Sequence, residues 1–123
     1  MPSHDSQLLK GVLSLLLLRL LDRQEDYGYS VVVRLHQLGF DDLTEGTVYP
    51  ALTRLEKRGL LASRLVRSSS GPARKYYRLT PTGEQELADA TKVWTDLVTT
   101  VEAALGPDDG PEPAPTPPLP ETR

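Results

Sequence analysis

The sequence predicts a mostly α-helical domain that carries one small β-hairpin. Three observations point there. Apolar residues recur at helical spacing in four separate stretches. Two of those stretches end at a glycine, Gly39 and Gly59, as helices do. Between Gly59 and Thr80 the texture changes to "LLASRLVR", a small turn "SSSGPA", and the β-forming run "RKYYRL".

Gln7 to about Asp22 is apolar on most sides, so it should be a helix buried from several directions. Its core, "VLSLLLLRLL", is too short for a membrane span, because Lys10 and Arg19 bracket only eight residues. The start "MPSHDSQ" is not basic and precedes no small-residue cleavage site, so it is not read as a leader. "QEDYGYS" breaks the pattern at Gly28. Tyr29 to Leu38 follows; its "VVV" run favours a strand locally, but the valines with Leu35 and Leu38 fit helical spacing. "GFDDL" is a short turn. The next helix runs from Thr44 to Arg58 and contains Pro50. If regular helix begins near Thr47, the proline lies in the first turn, where a missing N–H costs little. If it begins at Thr44, one bond is lost and a slight kink is expected.

Two strands with a loop at Ser68 to Ala73 come next. Of the adjacent Tyr76 and Tyr77, one should face the core and the other solvent. Thr80 is placed to cap a last helix with Pro81 at its first position, and Glu84 and Glu86 suit its positive end. Along that helix Leu87, Ala90, Trp94, Leu97, Val101 and Leu105 step by three or four, near the period of a seam between helices. A second copy of the chain could cover this seam; packing onto the chain's own first helix is the alternative. Seven of the eleven prolines fall between Pro107 and Pro120, which reads as a disordered, partly polyproline tail. The expected division is therefore an extension at 1–7, a compact unit at 8–80, a helix for self-association at 81–105, and the tail at 106–123.

Composition narrows the function. There is no cysteine, which removes disulfides, thiolate chemistry and the common structural zinc sites, and fits a reducing cytoplasm. His4 and His36 are the only histidines and share no ligand spacing. No nucleophile–base pair or phosphate loop is visible, so the chain is read as a non-enzyme without cofactor or metal. The formal net charge is −3, but it is unevenly spread. Residues 1–42 carry net −2 and residues 80–123 net −7, whereas residues 43–79 hold eight basic and two acidic residues, net +6. Such a block suits an anionic partner.

The order helix, helix, turn, helix, hairpin, long helix is the plan of a winged helix-turn-helix, in which the helix after the turn enters the DNA major groove and the hairpin reaches the flanking backbone. A helical wheel supports it. With Leu52 at the core, Val48 and Leu55 share its side, while Thr47, Pro50, Arg54 and Lys57 lie about 140° or more away. Tyr49 and Thr53 lie on the flank, and Glu56 near the core side is expected to pair with a neighbour. Arg54 can fork onto guanine or phosphate, and Lys57 suits phosphate. Thr47 either caps the helix or touches phosphate. Tyr49 either packs beside the turn or reaches DNA with its hydroxyl. The hairpin adds Arg64, Arg67, Arg74, Lys75 and Arg78, with Tyr76 among them.

"GTVYPALTRLEKRGLL", "GPARKYYRLTPTGEQEL" and the preceding "DYGYSVVVRL" together resemble the PadR family of bacterial transcriptional regulators over roughly Leu8 to Leu105. The resemblance implies a winged-helix dimer that usually represses transcription and is released by a small effector or stress signal. It places Thr47, Tyr49 and Arg54 on the recognition helix and Arg74 to Tyr76 at the wing. The short last helix is similar to that of the family's smaller subgroup, where one such helix makes the dimer; the proline tail lies outside the pattern.

The expectation is thus a cytoplasmic homodimeric repressor on an inverted-repeat operator. The DNA contacts are Thr47, Tyr49, Thr53, Arg54, Lys57, Arg67, Arg74, Lys75 and Tyr76. The alternative is a winged helix used as a protein-interaction module without specific DNA binding. Trp94, the only tryptophan, is either an interface anchor or the wall of a pocket for a planar aromatic effector between two copies.

Overall fold

The computed structural model describes residues 6–107 and 115–120, with side chains from residue 8 onward. The elements in order are α1 (Ser6–Arg23), β1 (Asp26–Tyr27), α2 (Gly28–Gln37), α3 (Glu45–Lys57), β2 (Leu61–Ser68), β3 (Gly71–Leu79) and α4 (Pro81–Leu105). All four expected helices and both hairpin strands are present, and the fold is mostly helical with a winged hairpin.

Helix α1 is the centre of the core. Leu9, Leu13, Leu17, Leu18, Leu20 and Leu21 are all buried, and adjacent pairs of them point to different sides. That is possible because α3, β3 and α4 each pack against it. No helix among the described residues is long and apolar enough to cross a membrane. Because α1 already begins at Ser6, the expected extension at 1–7 is shortened, and its residues 1–5 lie outside the described residues.

The stretch after α1 departs from the expectation of a plain break. Asp26 and Tyr27 pair antiparallel with Tyr77 and Tyr76, making a third strand. The sheet order is β1-β3-β2. Asp26 is 4 % exposed yet charged. Its carboxylate accepts from the Tyr27 N–H at 2.9 Å, the Ser30 hydroxyl at 2.7 Å and the Arg34 guanidinium at 3.1 Å. Arg34 also donates to the Leu20 carbonyl at 2.8 Å. A buried carboxylate is tolerated only when its oxygens are satisfied in this way, and the cluster fastens the start of α2 to the end of α1.

Helix α2 ends in a Schellman turn: Gly39 N–H bonds the His36 carbonyl at 2.9 Å and Phe40 N–H the Leu35 carbonyl at 3.0 Å. Helix α3 ends the same way, with Gly59 N–H on Glu56 and Leu60 N–H on Leu55, and Gly59 takes the required φ of +79°. Between α2 and α3, His36 Nε2 donates to the Leu43 carbonyl at 2.7 Å, which closes the turn. Helix α3 buries Val48, Ala51, Leu52 and Leu55.

The hairpin is tighter than expected. Only Ser69 and Ser70 form its turn, and Ser68 pairs with Gly71 across a bulge between Val66 and Ser68. Pro72 is tolerated inside β3 because β1 covers only Tyr76 and Tyr77, which leaves the first half of β3 as an open edge. Tyr77 faces the core, and Tyr76 is half-buried against Tyr27, with ring centroids 5.3 Å apart.

Thr80 caps α4: its Oγ accepts from the Gly83 N–H at 3.0 Å and donates to the Gly59 carbonyl at 2.6 Å. Thr80 N–H bonds the Leu60 carbonyl at 3.1 Å. A Cβ on Gly83 would stand 2.0 Å from that same carbonyl oxygen, so α4 starts flush against the chain that ends α3. Of the expected tail, residues 108–114 and 121–123 lie outside the described residues; residues 106–107 and 115–120 form no helix or strand.

Candidate nucleic-acid interface

Helix α3 presents the face the wheel drew. Thr47, Tyr49, Pro50, Thr53, Arg54, Lys57 and Arg58 are exposed. Thr47 is not the cap: Thr44 occupies that position with extended backbone, and makes no side-chain cap bond. Thr47 therefore stands in the first turn with its hydroxyl on the surface. The helix begins at Glu45, so Pro50 is inside it and has no N–H to offer the Gly46 carbonyl. Thr53 Oγ donates to the Tyr49 carbonyl at 3.2 Å. Glu56 does pair with neighbours, as its position suggested.

The cations of the central block fall into two groups. The first serves the fold. Lys75 Nζ donates to Glu56 Oε1 at 3.0 Å, and the Ser63 hydroxyl donates to Glu56 Oε2. The Ser63 bond, then Lys75, holds the Glu56 carboxyl below its ordinary range; the same pair raises Lys75. Arg64 makes a two-pronged bond to Glu25 at 2.6 and 3.0 Å. The Arg74 guanidinium lies 4.6 Å from the centre of the Tyr27 ring. The second group makes no direct ion pair among the described residues: Arg54, Lys57, Arg58, Arg67 and Arg78, of which Arg78 still helps the Arg64 pair hold the Glu25 carboxyl down. Arg67 sits at the bulge near the hairpin tip.

Two of the depressions beside α3 reach its exposed polar face. One, of about 600 Å³, lies between α2, α3 and the open edge of β3, bounded by Tyr27, Tyr29, Tyr49, Thr53, Arg74 and Lys75. The other, of about 350 Å³, is bounded by Lys10, Ser14, Thr47, Pro50 and Arg54. It brings in Lys10 of α1, which nothing in its own stretch of sequence marked. No carboxylate lines either depression.

The seam of α4 divides in two. Leu87 is 7 % exposed and belongs to the chain's own core, so it is withdrawn from the set expected to meet a partner. The reason is the flush start of α4, which lays its first turns on the body of the domain. Ala90 is half-buried. Beyond it Trp94, Leu97, Val101 and Leu105 are 44 %, 53 %, 44 % and 78 % exposed, with none of the described elements over them. Trp94 does not line either depression beside α3.

The chain matches the model of the PadR-like transcriptional regulator family over residues 17–89. A PadR-like transcriptional regulator from Bacillus cereus is 38% identical in sequence and superposes with a TM-score of 0.76, covering 83% of this chain and 99% of that one. A transcriptional regulator of Mycobacterium tuberculosis is 42% identical over 55 residues, 45% of this chain and 50% of that protein. Bacillus subtilis PadR, in a structure with operator DNA, is 28% identical with a TM-score of 0.60, covering 65% of this chain and 46% of that one. With its winged-helix architecture and these relatives, the chain belongs to the PadR-like family of transcriptional regulators, which is not a family of enzymes.

Proposed function

We propose that this chain is a homodimeric, sequence-specific DNA-binding repressor that acts in the cytoplasm. Residues 8–80 are the DNA-binding unit, residues 81–105 the dimerisation helix and residues 106–123 an appended tail. Helix α3 enters the major groove. Arg54 reads base edges, Thr47, Tyr49 and Thr53 contact bases or backbone, and Lys57 contacts phosphate. The wing meets the flanking backbone through Arg67, Arg74, Lys75 and Tyr76, and Lys10 joins from α1.

The observation that carries this reading is the uncommitted basic face of α3. Its cations are exposed and unpaired among the described residues, and no carboxylate lines the depression that Lys10 and Arg54 share. Leaving such charges unpaired favours an anionic partner, and the relative from Bacillus subtilis was solved with operator DNA. The bare apolar half of α4 supports the dimer, and a twofold axis calls for an inverted repeat with half-sites one or two turns, ~34 Å each, apart. Trp94 anchors the dimer interface or, in a second reading, walls a site for a planar aromatic effector between two copies; quenching or a shift of the single tryptophan's fluorescence by aromatic titrants supports the effector site, and silence across a broad panel counts against it.

The main test is selection of duplexes from a random-sequence pool, followed by binding of selected and scrambled duplexes. Arg54→Ala should cost about 1–3 kcal/mol on the selected duplex and much less on the scrambled one. Lys57→Ala should weaken both alike and lower the salt slope by about one. A pool with no enriched sequence would instead favour a protein-interaction module.

A further inference from the structure

Gly28 opens α2, and its backbone is helical, so its conformation does not call for glycine. Alanine forms helix more readily. What the position lacks is space. A Cβ there would stand 2.6 Å from Tyr49 Cε1, 3.1 Å from Cδ1 and 3.4 Å from Cζ. The ring of Tyr49, from the leading end of α3, lies over the bare backbone of Gly28. Its main chain is regular helix, further tied by the Thr53 hydroxyl. The ring itself turns about two torsions, and the depression beside it gives it somewhere to go. A methyl group at residue 28 therefore displaces the ring before it displaces the fold.

We propose that Gly28 is a positioning residue for DNA recognition: its missing side chain seats the Tyr49 ring and so aims the phenol hydroxyl at DNA. This rests on the DNA-binding reading above. Burial, and next the Glu45 charge, push the ionisation of the Tyr49 phenol upward. An ordinary phenol is already a neutral O–H donor at working pH and this shift keeps it one, and a donor must be aimed to be of use. Gly28 lies on α2, a separate helix from Tyr49, and contributes no side chain, so its part is exercised wholly through Tyr49.

The experiment compares the wild type, Gly28→Ala, Tyr49→Phe and the double variant on a duplex selected by the wild type from a random pool, with melting temperatures alongside. Gly28→Ala should weaken binding roughly five- to tenfold, the equivalent of one lost hydrogen bond, with a melting temperature close to the wild type. Tyr49→Phe should match it. In the Tyr49→Phe background, adding Gly28→Ala should change binding less than about twofold, because the hydroxyl to be aimed is already gone. Unchanged binding by Gly28→Ala, or a loss that persists in the Tyr49→Phe background, overturns the proposal while leaving DNA binding intact. A collapse in the melting temperature of Gly28→Ala also overturns it, since the fold rather than the ring would then have yielded. If the wild type selects no sequence, the DNA-binding reading fails and this one with it.

Discussion

The wing and the far half of α4 both project from the core, and they are held in opposite ways. Polar contacts fasten the wing to the body: Lys75 and Ser63 to Glu56, Arg64 to Glu25, Arg74 over Tyr27. The far half of α4 has none. Its side-chain bond, from Thr100 to the Asp96 carbonyl, stays within the helix, and its outward face is Trp94, Leu97, Val101 and Leu105. An element that works in water against an anion can be held by exposed ion pairs, each worth little, because they set its aim. A bare apolar row gains nothing from water, and in the proposed dimer a second copy covers it.

Leu97→Asp should produce the largest effect. In the proposed dimer it places a charge at the centre of the seam and should weaken self-association about a hundredfold or more, ~2.7 kcal/mol, as read by sedimentation. The helix content of the protomer should survive. A wild type that sediments as a monomer at high concentration would break the contrast between the two projections. Leu87→Ala, two to three turns earlier, should act on the fold instead, costing about 2–4 kcal/mol in urea unfolding. Glu56→Gln should be mildest, below about 1 kcal/mol. Because the folded state lowers the Glu56 ionisation, its contribution is present above the ordinary glutamate value of about 4.3 and is lost as pH falls through the lowered folded value. The gap in melting temperature between wild type and Glu56→Gln should therefore be open near pH 7 and closed in strong acid; a constant gap would assign the loss to something other than charge.

The helices were legible because each carries its own period and its own end signals: the leucines of α1, the glycines after α2 and α3, the Thr80–Pro81 start of α4. Strand β1 was not, since two residues hold no period and its pairing lies some fifty residues away on β3. The hairpin loop was overestimated because Gly71 and Pro72 look like turn residues, yet an open sheet edge accepts both. Thr47 was a fair cap candidate until the backbone put Thr44 there. The polar face of α3 followed from one wheel, whereas Lys10 and Gly28 joined the site only through space, from α1 and α2. Leu87 shared the period of the α4 seam but was claimed by the core, a distinction that spacing does not encode. The division of cations into paired and unpaired was equally hidden, apart from Glu56.

The flush junction at Thr80 and Gly83 makes α4 a lever. Its 25 residues extend ~37 Å from a fulcrum fixed to the Leu60 carbonyl, without a hinge between them and α3. In the proposed dimer, a tilt of about 10° at a crossing near Trp94, ~20 Å along α4 from that fulcrum, would carry the fulcrum and the body fixed to it about 3.4 Å, roughly one base-pair step. In that dimer, a wedge at the crossing near Trp94 would thereby be carried to α3 as a mismatch with the spacing of the operator.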